Sequence, residues 1–210
     1  MTRLNEVLDY KSKYTYPNGT LKNKLNILDL KELETKERQI TNYKLANLYL
    51  KNITGKFDVE HYLSIHEYLF EDIYDFAGKI RNENIKKSFS FCVPEYIYDN
   101  LYDTLRKMQK DMLNITNEDA LADFFATYYS DIDIIHPFRE GNGRTLREFL
   151  RQAMEQINLN IDFGEYHLDY SKIENRDAFI KAVRIADATC DYSYLKEMMK
   201  IIITKKEKTK

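Results

Sequence analysis

The sequence predicts an all-α domain with one small β-hairpin, and three observations carry that prediction. Apolar residues recur at steps of three and four along most of the chain. One short run alternates apolar and polar residues and is then broken by a proline. Gly55 closes one helical stripe, Gly78 reads as the C-cap of another, and after Pro94 the helical stripes resume. At 43% hydrophobic and 31% charged the chain is neither disordered nor low-complexity. Its length suits one domain, residues 1–210, with a core at about 14–200 and a solvated charged tail at 205–210.

Taken in order, the first twenty residues end in the turn signal Tyr16-Pro17-Asn18-Gly19. Residues 28–50 carry an imperfect helical stripe of Leu30, Leu33, Ile40, Leu45 and Leu48, closed by Gly55. Residues 58–76 place Val59, Tyr62, Ile65, Leu69, Ile73 and Phe76 on one face, with Gly78 as the expected C-cap. Ile85, Phe89, Phe91 and Val93 alternate ahead of Pro94, which predicts a hairpin or extended flap and the only sheet in the protein. Helical stripes resume at 97–112, 121–135 and 146–157; residues 161–171 read as irregular, and two more helices are expected at about 174–187 and 191–204.

Composition excludes several classes of function. Lys and Arg total 32 against 34 Asp and Glu, a net charge of -2, so no basic field exists to bind nucleic acid directly. Cys92 and Cys190 lack CxxC spacing, which argues against a disulfide framework or a zinc site and for a reducing compartment. The N-terminal MTRLNEVLDYKSKY has no apolar core, and no run of 18 apolar residues occurs. No membrane association and a cytoplasmic location are therefore expected, with export by a route lacking a Sec signal still open.

One segment stands apart: His136-Pro137-Phe138-Arg139-Glu140-Gly141-Asn142-Gly143-Arg144-Thr145-Leu146-Arg147. The residue before Pro137 is pushed out of the α region, so a helix ends at His136 and its ring is free to face a loop. Gly141 and Gly143 permit positive φ and Asn142 tolerates it, so the turn is expected to aim backbone N–H groups inward as an anion nest. The next helix adds the positive end of its dipole. Arg144 and Arg147, three apart, lie on one face of its first turn, an arrangement that suits a polyanion. Glu140 is a hard oxygen ligand fit for magnesium. A neutral histidine beside a triphosphate can take the proton of an attacking hydroxyl, and no Ser or Cys beside a base offers a covalent nucleophile. Direct in-line transfer to a hydroxyl is the simplest chemistry.

These residues resemble the Fic family signature HxFx(D/E)GNGRxxR at all of its eight fixed positions within twelve residues. Tyr16-Pro17, LKNKLNI, IHEYLFEDIYDFAGKIR and VPEYI extend the resemblance to the compact bacterial Fic toxins over most of residues 14–200. The resemblance implies a helical domain that transfers AMP from ATP to a target Tyr, Thr or Ser hydroxyl and releases pyrophosphate. By position, His136 is then the general base and Phe138 the loop anchor. Glu140 holds Mg2+, Gly141, Asn142 and Gly143 bind the phosphates, Arg144 meets the β/γ-phosphates and Arg147 the γ-phosphate. The stretch Ile85, Lys86, Lys87, Ser88, Phe89, Ser90 and Phe91 becomes a flap that docks the target chain by strand addition. A toxin-antitoxin pair with a small antitoxin partner, and a topoisomerase subunit as target, are what the toxin-like relatives suggest. The unaltered GNG stretch favours AMP transfer over phosphate transfer. Transfer of another nucleotide, removal of AMP, and a non-catalytic ATP-binding regulatory module are the alternatives.

Fic enzymes are held off by a glutamate in the pattern (S/T)xxxE(G/N). Ser193 and Glu197 fit its first part, but Met198 follows where Gly or Asn belongs, and an ordinary last helix accounts for the same residues. The Thr35 and Glu37 region has the wrong spacing. His66 lies on an apolar stripe and reads as a core histidine rather than a metal ligand. Arg151 is expected to pair with Glu148 or Glu155 on the surface. Cys92 is expected to be a small buried hydrophobe, and most tyrosines to be core or interface rings.

Overall fold

A computed structural model describes residues 12–85 and 91–206. The flap residues Lys86, Lys87, Ser88, Phe89 and Ser90, and the tail beyond 206, lie outside the described residues. The described chain is all-α as predicted, with seven α-helices and a two-stranded antiparallel sheet. None of its helices is long and apolar enough to cross a membrane. It divides into two compact units: residues up to Leu101 with Ile135–Thr145, and Tyr102–Ile134 with Leu146 onward.

The first unit begins with the predicted turn, where Gly19 sits at φ 84°. Helix α1 (Leu30–Leu50) starts where the Asp29 side chain accepts the Glu32 N–H. Its buried face is Leu33, Glu37, Thr41, Lys44 and Leu48, so polar residues hold the middle of the stripe. Leu30, expected on that face, is exposed. Helix α2 (Val59–Phe70) is capped by Asp58, whose side chain accepts the His61 N–H. It stops well short of the predicted cap at Gly78, although Ile73 and Phe76 stay buried. The reason is hydrogen bonding at its last turn. The Ile73 N–H tightens that turn by reaching back three residues to the Phe70 carbonyl at 2.9 Å, beside the Tyr74 N–H, which keeps the helical spacing to the same oxygen. Lys24 then takes the Ile73 carbonyl with its backbone N–H at 2.8 Å and the Glu71 carbonyl with its ammonium at 2.7 Å. The carbonyls a longer helix would use are occupied from outside it.

The second unit holds most of α3 (Ile97–Asp111), α4 (Glu118–Ile135) and α5 (Asn142–Asn158), then α6 (Arg176–Thr189) and α7 (Ser193–Ile202). Strand β1 (Tyr166–Leu168) pairs antiparallel with β2 (Ile203–Lys205), with His167 opposite Thr204. The expectation of a sole sheet at the flap is corrected here, since β1 falls in the stretch read as irregular and β2 ends the stretch read as helix. Both strands are three residues long, too short for alternation to register. The Asn158 side chain fixes β1 by bonding the Tyr166 N–H and carbonyl at 2.9 and 2.7 Å.

Four of the tyrosines read as core or interface rings, Tyr43, Tyr49, Tyr98 and Tyr102, are exposed, whereas Tyr62, Tyr74, Tyr128 and Tyr129 are buried. Cys92 is half-buried rather than buried, with Asn100 donating to its Sγ at 3.3 Å.

Candidate active site

The first unit gathers the loop between α4 and α5. Helix α4 ends at Ile135, as the following proline requires, and His136 takes φ 48°. Left-handed backbone at a non-glycine residue is a local cost, persisting only where its surroundings over-determine it. Those surroundings are explicit. His136 is 7% exposed and its ring stacks on Phe91 at 3.8 Å between centroids, 17° from parallel. Phe138 is fully buried between the rings of Tyr62 at 5.6 Å and His66 at 3.6 Å.

His66 is the satisfied core histidine expected. Its Nδ1 accepts the Gly78 N–H at 2.8 Å, so Nε2 carries the proton and donates to the Glu140 carbonyl at 3.0 Å. Burial lowers its pKa to about 3, which keeps it neutral. The core histidine thus holds the loop by its main chain.

Gly141 sits at φ 85°, and a Cβ there would meet the Phe70 ring at 2.3 Å, so both backbone and space demand glycine. Asn142 opens α5, and its side chain closes the loop, with Oδ1 accepting the Phe138 N–H at 2.8 Å and Nδ2 donating to the Phe138 carbonyl at 2.7 Å. The helix therefore begins inside the Gly-Asn-Gly run rather than beyond it, and Gly141 alone of the three has positive φ. The Arg144 and Thr145 N–H groups return to the Gly141 carbonyl at 3.1 and 3.0 Å. The N–H groups of Asn142 and Gly143 meet no acceptor among the described residues. They are the open N–H groups of a helix N-terminus, the kind of end that attracts anions.

Glu140 accepts the Gly141 N–H at 3.0 Å and lies 3.3 Å from the Arg144 guanidinium. Arg144 is engaged further: Glu37 of α1 at 2.6 Å, the Thr41 hydroxyl at 3.2 Å and the Phe70 ring at 4.8 Å. The Tyr74 hydroxyl donates to the other oxygen of Glu37. Arg147 belongs to the second unit, its guanidinium 5.9 Å from the Tyr170 ring centroid. The first unit thus brings together His136, Phe138, Glu140, Gly141, Asn142, Gly143 and Arg144, with Ile85 and Phe91 buried at the two ends of the flap stretch. Glu197, in the second unit, is exposed and pairs with Lys200 at 2.8 Å, while Leu195, Met199 and Ile202 form the buried face of α7.

Sequence reasoning missed Glu37, Thr41 and Arg81. For the first two a signal existed, because both are in register with Leu33 and Leu48 on the buried stripe of α1. Arg81 closes the segment IHEYLFEDIYDFAGKIR that carries part of the resemblance, but nothing in the side-chain pattern gave its role, since its partners are main-chain atoms.

Among the described residues no three His, Cys, Asp or Glu gather as a metal cage. Magnesium in nucleotide sites uses one or two carboxylates together with substrate phosphates, and Glu140 at the loop fits that modest demand.

Residues 56–154 match the model of the Fic/DOC family. A probable protein adenylyltransferase of Sinorhizobium fredii is 34% identical over 190 residues, covering 87% of this chain and 92% of the relative. A protein adenylyltransferase of Bartonella schoenbuchensis is 32% identical over 170 residues, 78% of this chain. The chain spans about a third, 34%, of that second relative's length. Among solved structures, the N-terminal Fic domain of a VirB-translocated effector of Bartonella quintana has a TM-score of 0.80 at 24% identity, covering 92% of each chain. The effector BepC of Bartonella tribocorum, solved with bound AMPPNP, also reaches 0.80 at 20% identity, covering 95% of this chain and 100% of that one. At these identities the structural likeness speaks for the fold.

Proposed function

The chain belongs to the Fic/DOC family, and on that footing we propose that it transfers AMP from ATP to a Tyr, Thr or Ser hydroxyl of another protein. The observation that carries the reading is the loop of the first unit, where a strained histidine, two unclaimed helix N-terminal N–H groups, one carboxylate and one arginine converge. The S. fredii and B. schoenbuchensis relatives bear the name adenylyltransferase, which supports the same reaction.

In this reading the His136 ring takes the proton of the target hydroxyl as its oxygen attacks the α-phosphorus. The new O–P bond forms as the bond to the β-phosphate oxygen breaks, and pyrophosphate leaves with the electron pair. The N–H groups of Asn142 and Gly143 stabilise phosphate charge, and Gly141 keeps a side chain out of the way. Arg144 serves the β/γ-phosphates and Arg147 the γ-phosphate. Glu140 would hold Mg2+, which would supply positive charge against that of the phosphates. Phe138 anchors the loop. The Asn142 side chain is committed to the Phe138 backbone, so its contribution to phosphate binding comes from its main chain.

The family match runs through parts of both units, and we read about 14–200 as one Fic domain with the segment from Ile85 to Phe91 docking the target. A toxin paired with a small antitoxin, a topoisomerase subunit as target, and a cytoplasmic setting complete the proposal. The testing experiment uses ATP labelled separately at the α- and γ-phosphates, incubated with the protein, Mg2+ and bacterial lysate. Label entering protein from the α position alone, and lost in His136→Ala, supports the reading. Label from the γ position alone makes the protein a kinase. AMPPNP binding with no label from either position makes it a nucleotide-binding module.

A further inference from the structure

Arg81 is 1% exposed and heads the largest fully buried side chains. A cation so buried usually faces a carboxylate. Among the described residues Arg81 has none, and its donors go to main-chain oxygens. Nε donates to the His136 carbonyl at 2.8 Å, and Nη2 reaches the Ile135 carbonyl at 3.4 Å. The Arg81 backbone N–H donates to the Pro137 carbonyl at 2.9 Å. Nη1 donates to the Glu83 carbonyl at 2.7 Å, and Nη2 also donates to the Cys92 carbonyl.

Three consecutive carbonyls, 135 to 137, therefore turn toward one residue. They bracket His136, the residue whose left-handed backbone the following proline makes doubly unfavourable. The ring of His136 also stacks on Phe91, next to Cys92. Only a planar guanidinium presents five N–H donors in a fan able to meet carbonyls on several sides. A lysine ammonium offers three from one point and a glutamine amide two.

We propose that Arg81 is a positioning residue for the transfer reaction: it holds the His136 turn in its strained conformation and ties it to the chain at Glu83 and Cys92. The inference rests on the adenylyl-transfer reading, with His136 as base. Among the described residues the hydrogen bonds of Arg81 go to the His136 turn and to Glu83 and Cys92, and none goes to Glu140 or Arg144, so rate and nucleotide affinity can be read apart.

The test compares native protein with Arg81→Lys, Arg81→Gln, Phe91→Leu and the Arg81→Lys/Phe91→Leu double variant. Initial rates of α-label transfer into lysate protein are read beside the Kd of AMPPNP with Mg2+. Expected are rates at least about tenfold lower in Arg81→Lys and lower still in Arg81→Gln, with the Kd within about twofold of native. The losses from Arg81→Lys and Phe91→Leu should be non-additive, since both act on one histidine. A folded Arg81→Lys with the native rate overturns the proposal, as does a rate loss matched by an equal loss of AMPPNP affinity, or strict additivity. Amide hydrogen exchange of peptides covering 135–138 gives a readout without activity. Faster exchange there in Arg81→Lys, with α2 unchanged, supports the proposal, and no change overturns it. If native protein itself transfers no label, it is the reaction reading that fails, and the exchange result still decides what Arg81 does.

Discussion

Arg81 in the first unit and Arg151 in the second are both buried, and their surroundings satisfy them in opposite ways. Arg151 gives its guanidinium to its own helix: both oxygens of Glu148 at 2.8 and 2.6 Å and Glu155 at 2.5 Å, with Gln152 donating to Glu148. These carboxylate partners are three and four residues away, the spacing at which helical side chains meet. Arg81 bonds across 55 and 11 residues, and to carbonyls rather than carboxylates. A local network braces the element that carries it. A long-range one fixes the conformation of a segment that could not hold it alone. Glu37 follows the Arg81 pattern, since it reaches Arg144 over 107 residues. The first unit uses its buried polar groups to shape a loop, and the second uses Arg151 to keep a helix.

The largest effect that would sharpen this contrast is on chemistry. His136→Ala should lower α-label transfer by about 10²–10⁴-fold, the usual contribution of a positioned base, with AMPPNP affinity retained. A variant that lost binding and rate together would break the contrast. Next, Arg151→Met should leave Glu148 buried without its partner and cost about 3 kcal/mol in denaturant unfolding, with the transfer rate per folded molecule unchanged. A loss of rate at full stability would give Arg151 a part in the loop's work.

A smaller effect separates the units by pH. Burial, reinforced by the neighbouring Asp133 charge, pushes the Asp187 carboxyl in the second unit up to about 7, although Ser130 and Arg184 pull the other way. The folded protein then holds a proton that the unfolded chain releases near pH 3.8, so stability from this group is full below that value and is lost as pH rises toward 7. His66 in the first unit has the opposite sign. Its folded pKa of about 3 lies below the ordinary 6.5, so its contribution is full above 6.5 and is lost as pH falls. The two slopes oppose each other between about pH 4 and 6.5. Asp187→Asn should remove one of them, so that urea stability rises with pH across that window by about 1–2 kcal/mol more than in the native protein. Parallel curves for the two proteins would refute the assignment. The smallest effect belongs to Glu197→Gln. With Glu197 exposed and paired to Lys200, basal transfer should stay within about twofold of native. A severalfold rise would identify Glu197 as an inhibitor in cis.

The loop between α4 and α5 was legible because its chemistry lies in twelve consecutive residues. Proline, glycine and asparagine each impose a conformation there, and the charged residues follow at helical spacing. Helix α2 was legible in its start and not in its end. Its apolar period continues through Ile73 and Phe76, but Lys24, nearly fifty residues earlier, takes the carbonyls needed to extend it. Arg151 was read with the right partners in the wrong place, because i,i+4 spacing fixes who meets whom and says nothing of depth.

By itself, then, the sequence determined the helical class and the loop from His136 to Arg147, since periodicity, breakers and a contiguous motif are properties of neighbouring residues. The tertiary structure decided which polar residues of α1 are buried, where β1 finds β2, and how a histidine before a proline is kept in a left-handed turn. Those outcomes depend on hydrogen bonds between residues far apart in the chain, and a buried arginine whose partners among the described residues are carbonyls leaves no pattern of side chains to read.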